Sequence, residues 1–135
     1  MARPLYSTGA EDGRDQRGDH HVYDLFSRGM AFLERGEPHQ AALLLSRAKL
    51  YEPEKASIRE GLGRAHFMAG RMAHARREFA KAVQLDPAND YAHFGLALAC
   101  ERTGQRMRAI GHLKLARALR PEIEHYERAL RRLTG

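Results

Sequence analysis

The residues best equipped for chemistry in this chain of 135 residues are eight histidines and one cysteine. None stands in a pattern that a reaction or a metal would need. His20 and His21 are adjacent and precede the first helical stretch, which reads as linker rather than as a metal site. His39 and His74 fall on outward-facing helical positions, where neighbouring units could bring them close. No carboxylate or cysteine accompanies them at ligand spacing. Cys100 is alone, so no internal disulfide can form, and a reducing cytoplasm is the fitting compartment. A Gly-rich phosphate loop, a CxxC pair, an HExxH helix and a nucleophile elbow are all missing from the sequence. The expectation is a chain with no catalytic residue, no metal and no cofactor, and not an enzyme.

What the sequence does hold is a period. Pro53, Pro87 and Pro121 are 34 residues apart, and so are Gly36, Gly70 and Gly104. Three alanine columns keep the same spacing: Ala31, Ala65, Ala99; Ala41, Ala75, Ala109; and Ala48, Ala82, Ala116. A large apolar column runs Leu45, Phe79, Leu113, and a small one Gly29, Gly63, Ala97. Two antiparallel helices per period explain these columns. Small residues let the backbones approach, and a Leu or Phe fills the gap that remains. The glycine ends the first helix because it takes a left-handed conformation without steric cost. The proline stops the second helix and holds the residue before it out of the helical region.

The stretch Ala56 to Asn89 carries Leu62, Gly63, His66, Ala75, Phe79, Ala82 and Pro87 at spacings that resemble the tetratricopeptide repeat, TPR. The resemblance implies an all-α right-handed superhelical solenoid. Its repeats would be 22–55, 56–89 and 90–123, with 124–135 as a C-terminal capping helix. Helices are expected near 22–35 and 38–51, 56–69 and 72–85, and 90–103 and 106–119. Pro38 suits the first turn of its helix, and Asn89 or Asp90 suits an N-cap. Ile123, Tyr126, Leu130 and Leu133 form the apolar stripe of the cap, backed by charged residues. Residues 1–21 are rich in Gly and mixed charge and are expected to be disordered, apart from the apolar pair Leu5-Tyr6, which could occupy the groove described next. His66 and His93 fall where the family packs large residues and are expected semi-buried with their polar atoms satisfied, and Cys100 falls where it packs a buried residue and is expected in the core.

In TPR arrays the first helices of successive repeats line a concave channel. The resemblance places Tyr23, Phe26, Met30 and Leu33 there from the first repeat. The second supplies Arg64, Phe67 and Met68, and the third Tyr91, Phe94, Leu98 and Arg102. His125 and Arg128 of the cap could extend the wall. This wall is apolar and aromatic, which suits adaptable capture of a partner peptide or helix. Its residues are expected to converge on one groove, with Arg64 and Arg102 as polar guides. Gly61 and Gly95 admit two readings: close helix packing, or bare backbone on the groove floor. The family's carboxylate clamp for acidic chaperone tails does not match, since its positions hold Phe26, Met30, Gly61, Tyr91 and Gly95.

Composition bounds the alternatives. The formal net charge is +6, with nine Lys or Arg against three acids over 102–135. Nucleic acid or an acidic ligand could meet that end, through Arg106, Arg108, Arg117, Arg120, Arg128, Arg131 and Arg132. The competing reading is a solvated Arg-rich surface, and stacking aromatics are too scarce for single-strand binding, so nucleic acid is not expected. Self-association through the groove is a further alternative. No apolar run is long enough for a membrane span and no secretory signal is visible, so the expectation is a cytoplasmic protein-interaction adaptor. Arginines outnumber lysines 19 to 4, which suggests a GC-rich bacterial genome.

Overall fold

The structure, a computed structural model, describes the backbone of residues 10–135 and the side chains of residues 21–135. Among the described residues seven helices follow one another: α1 (Ala10–Glu34), α2 (Pro38–Tyr51), α3 (Ala56–Met68), α4 (Met72–Leu85), α5 (Asp90–Arg102), α6 (Arg106–Leu119) and α7 (Glu124–Thr134). The periodic prolines and glycines account for most of these boundaries. Gly36, Gly70 and Gly104 have φ of 73°, 81° and 80°, the left-handed region that glycine enters freely. Each closes a Schellman motif. Glu37 N–H donates to the Phe32 carbonyl and Gly36 N–H to that of Leu33, at 2.9 and 3.0 Å. Arg71 and Gly70 repeat the pair on His66 and Phe67, as do Gln105 and Gly104 on Cys100 and Glu101. At the other turn Glu52, Asp86 and Arg120 take the non-helical conformation that a following proline imposes. Asn89 is the N-cap of α5, its side chain accepting from Ala92 N–H at 3.0 Å.

The first helix is longer than its period requires. The expectation of disorder over 1–21 is corrected for its second part, because α1 already begins at Ala10. Once a helix is nucleated each further residue adds a hydrogen bond, and no proline lies between Ala10 and Glu34 to stop it. Gly13 and Gly18 are carried along at a cost of about 1 kcal/mol each. Leu5-Tyr6 lies outside the described residues.

Each helix pair packs on the next through one inserted side chain. Leu45 of α2 lies against Gly29 of its own first helix and Gly61 of the following one. Phe79 of α4 lies between Gly63 and Gly95 in the same way. Leu113 of α6 shares a core with Ala97 and, from α7, Ala129. All three inserted residues are buried. Gly61, Gly95 and Ala129 are again 34 apart, as are Leu62, Leu96 and Leu130. Thus α7 packs on α6 as a further first helix, and it buries Tyr126, Leu130 and Leu133. The close-packing reading of Gly61 and Gly95 accounts for both. Successive first helices meet, α1 with α3 and α3 with α5, while α2, α4 and α6 make no comparable contact with each other. The first helices therefore form the inner wall and the second helices the outer wall.

Candidate functional site

The inner wall carries sequence-selected residues, and clefts open along it. The larger, about 490 Å³, is lined by Val22, Tyr23 and Phe26 of α1, Ser57 and Ile58 of α3, and Glu52 and Lys55 of the loop between. The other, about 200 Å³, is lined by Arg64, Phe67 and Met68 of α3 and by Tyr91, Phe94, Gly95 and Leu98 of α5. Phe79, the inserted residue of α4, reaches this second cleft as well. Met30 is half-buried, and its sulfur would lie 3.2 Å from a Cβ placed on Gly61. Met30 is one turn beyond Phe26, and Gly61 is one turn before Arg64, so this contact lies on the same wall between the two clefts. Leu33 is corrected: it is buried, in one core cluster with Ala41 and Leu44. It belongs to the last turn of α1, where the chain reverses at Gly36 and α2 closes over it.

The second cleft is built from side chains that hold each other. The Arg64 guanidinium lies over the Tyr91 ring at 5.9 Å and meets Glu34 at 3.8 Å. Arg102 lies over the Phe67 ring at 5.2 Å. Phe94 is half-buried, with ring centroids 5.1 Å from Tyr126 and 5.6 Å from His125. Helix α7 therefore backs the Phe94 side of the cleft through both residues. Tyr126 OH donates to the Asp90 carboxylate, and burial together with this bond pushes its phenol well above the usual range. Burial also pushes the Tyr91 phenol up, so both rings stay neutral and apolar toward a ligand. Met68 and Tyr91 are exposed at the rim. Sequence reasoning missed Phe79 here. The small residues at Gly63 and Gly95, both facing one large residue, were the available signal for Phe79.

The histidines pair inside the helix pairs rather than between them. His66 lies 5.1 Å from His74, ring to ring. His93 Nε2 faces the Pro87 carbonyl at 2.9 Å, and its Nδ1 faces Nδ1 of His112 at 3.1 Å. An N–H on His93 Nε2 would satisfy the Pro87 oxygen and leave Nδ1 to accept from His112. Among the described residues no three of His, Cys, Asp and Glu gather as a metal site. Cys100 is buried, and burial pushes its thiol up, away from the reactive thiolate.

Desolvation holds His66 below its ordinary pKa, with the charge of His74 adding to the effect. Desolvation does the same for His112, followed by His93. Each favours the neutral form in the folded state, so the unfolded chain takes up protons first. Stability is therefore full above the unfolded value of 6.5 and falls as pH drops below it. The limiting slope is about 1.4 kcal/mol per pH unit for each such group. Urea unfolding between pH 7.5 and 5 should show this loss, and His66→Gln should flatten it. An unchanged slope in that variant would show that His66 titrates normally.

Comparisons with known proteins fit this architecture. Residues 26–90 match the family model described as tetratricopeptide repeat. Superkiller complex protein 3 of Mus musculus is 31% identical over 88 residues, which is 65% of this chain and only 6% of that protein. The Arabidopsis OM64 TPR domain superposes with a TM-score of 0.84 at 18% identity, covering 87% of this chain and 97% of that one. The second TPR domain of human RPAP3, in complex with the HSP70 peptide SGPTIEEVD, gives 0.82 at 16% identity, covering 87% and 98%. Taken with the three helix pairs, the Schellman turns and the inserted column Leu45, Phe79 and Leu113, these matches show tetratricopeptide repeat sequence over residues 26–90 and the tetratricopeptide repeat fold across the helix pairs.

Proposed function

We propose that this chain is a non-enzymatic interaction module that captures a peptide or helix of a partner protein in the cleft between α3 and α5. The repeat units are read as 22–55, 56–89 and 90–123, with 124–135 as the capping helix. The carrying observation is the cleft of about 200 Å³ framed by Phe67, Met68, Tyr91, Phe94 and Leu98, with Arg64 and Arg102 stacked on its rim. Aromatic anchors beside arginines are the composition of interface hot spots. The peptide complex of the human RPAP3 domain supports capture as a use of this fold. The clamp residues for a chaperone tail are absent from their positions here, so the proposed ligand is gripped by apolar burial rather than by its terminal carboxylate. The competing Arg-rich C-terminal reading is weakened by internal pairing. Arg117, Arg120, Arg128, Arg131 and Arg132 each meet a carboxylate.

A photo-crosslinking residue at Leu98 tests the reading. It should capture a partner from cells of origin, while the same residue at Ser46 on the outer wall should not capture that partner. Tyr91→Ala, Phe94→Ala and, in the first cleft, Phe26→Ala should each weaken binding of the partner so identified by about tenfold or more. Helical content should be nearly unchanged in Tyr91→Ala, whose ring is exposed at the rim. Normal binding by all three folded variants would rule the inner wall out.

A further inference from the structure

The outer wall has a charge pattern that the inner wall lacks. Helices α2, α4 and α6 carry two, three and four Lys or Arg respectively, against a single acid, Glu78. That acid is half-buried and already held between Lys49 at 2.9 Å and Arg59 at 3.2 Å. Its charge therefore does not oppose the wall. Among the described residues no carboxylate pairs with Arg47, Arg77, Arg108 or Lys114, and all four are exposed. The first helices are mixed instead: α3 holds Glu60 and α5 holds Asp90 and Glu101 beside their arginines.

Large apolar side chains stand out of the same wall. Leu50 of α2 is 81% exposed and Met107 of α6 is 72% exposed. Leu43, Leu115 and Leu119 are exposed beside them. Leu43 and Leu50 are seven residues apart on α2, and Leu115 and Leu119 four apart on α6, so each pair shares a helix face. Neither cleft described above is lined by Leu43, Leu50, Met107, Leu115 or Leu119, so these outer side chains do not form their rims.

We propose that the outer wall of α2, α4 and α6 docks on an anionic lipid surface. Charge complementarity carries the choice of occupant, and the exposed leucines refine it. Phosphates of a nucleic acid would satisfy the cations but leave the leucines in water. A folded acidic protein would need a shaped counterpart for side chains scattered over two helices. A bilayer interface offers diffuse negative charge together with an apolar layer a few ångströms below, and requires no shape match. Docking would be peripheral, since no described helix is long and apolar enough to cross a membrane. The inner wall would stay open for a partner while the outer wall is held, so this inference is independent of the cleft reading.

Flotation of the full chain with vesicles tests the proposal. Vesicles of phosphatidylcholine with 30% phosphatidylserine should carry the protein at low salt, and pure phosphatidylcholine vesicles should not. Arg47→Gln, Arg77→Gln and Lys114→Gln should each lower partitioning about fivefold, since a cation near such a surface contributes on the order of 1 kcal/mol. Leu50→Ser and Leu115→Ser should each lower it by roughly tenfold. Arg131→Gln, on α7, should leave it unchanged. All these residues are exposed, and the circular dichroism of each variant shows whether it is folded. Equal binding to both vesicle types, or none to either, would overturn the proposal. Tighter binding to a 20-bp duplex or to polyglutamate than to the anionic vesicles would also overturn it, in favour of nucleic acid or an acidic protein respectively.

Discussion

Gly95→Ala should lower the free energy of unfolding by about 2 kcal/mol, although alanine is the better helix former by about 1 kcal/mol. A Cβ at this position would lie 2.4 Å from Cζ of Phe79 and 2.5 and 2.8 Å from the two Cε atoms. The base of the ring is held as well: at Gly63 an added Cβ would fall within 2.9 Å of its Cγ and both Cδ atoms. Phe79 is 2% exposed, so moving it disturbs a core shared by α3, α4, α5 and α6. For a chain of this size the loss corresponds to roughly 8 °C in melting temperature. Phe79→Ala should cost more, about 3–5 kcal/mol, by leaving a cavity between two helix pairs. The pair of sites should be strongly coupled: in a Phe79→Leu background, Gly95→Ala should lose most of its effect. Urea unfolding of the four proteins measures this. A neutral or stabilising Gly95→Ala in the wild-type background would show that the ring is not held where the structure places it.

Removal of residues 122–135 should abolish cooperative folding of the monomer or drive it to associate. Helix α7 buries Tyr126, Leu130 and Leu133. Each large side chain contributes about 1.5–3 kcal/mol on full burial, so the three together rival the entire net stability of a domain, about 5–15 kcal/mol. The underside of α6 with Leu113 and Ile110 would be bared as well. Polar ties reinforce the helix: Arg132 meets Glu101 at 2.6 and 3.1 Å, and Arg106 donates to the Leu133 carbonyl. Tyr126→Phe gives a milder version, costing about 1.5–3 kcal/mol by removing the donor to Asp90. Size-exclusion chromatography and thermal melts decide the matter. A truncated chain that remains monomeric with an unchanged melting curve would deny α7 its closing role.

The period made most of the fold legible. Regularly spaced Gly and Pro mark the helix ends, and the observed helices from α2 to α6 begin where the spacing predicts and end within a residue of it. Legibility falls where a neighbour outside the period decides. The early start of α1 reflects propagation along a stretch with no stop signal, which composition alone described as disordered. Leu33 and Phe67 share one register, yet the first is buried and the second half-buried in a cleft wall. The period fixes which side of a helix a residue occupies, but not how closely the next helix covers it. The histidine pairs were invisible for a related reason: His93 and His112 are 19 residues apart and belong to no repeating column.

The register continued by α7 has a consequence for growth of the array. Gly29, Gly63 and Ala97 keep the inner seam open for the inserted side chain of the following helix, and the next residue in that series is Arg131. Any helix laid on the far side of α7, from this chain or another copy, would have to seat its apolar knob against a long cation already paired with Glu127. That contact would desolvate an ion pair where the earlier seams bury only a small residue, so the packing that joins the other helix pairs is not repeated unchanged on the far side of α7.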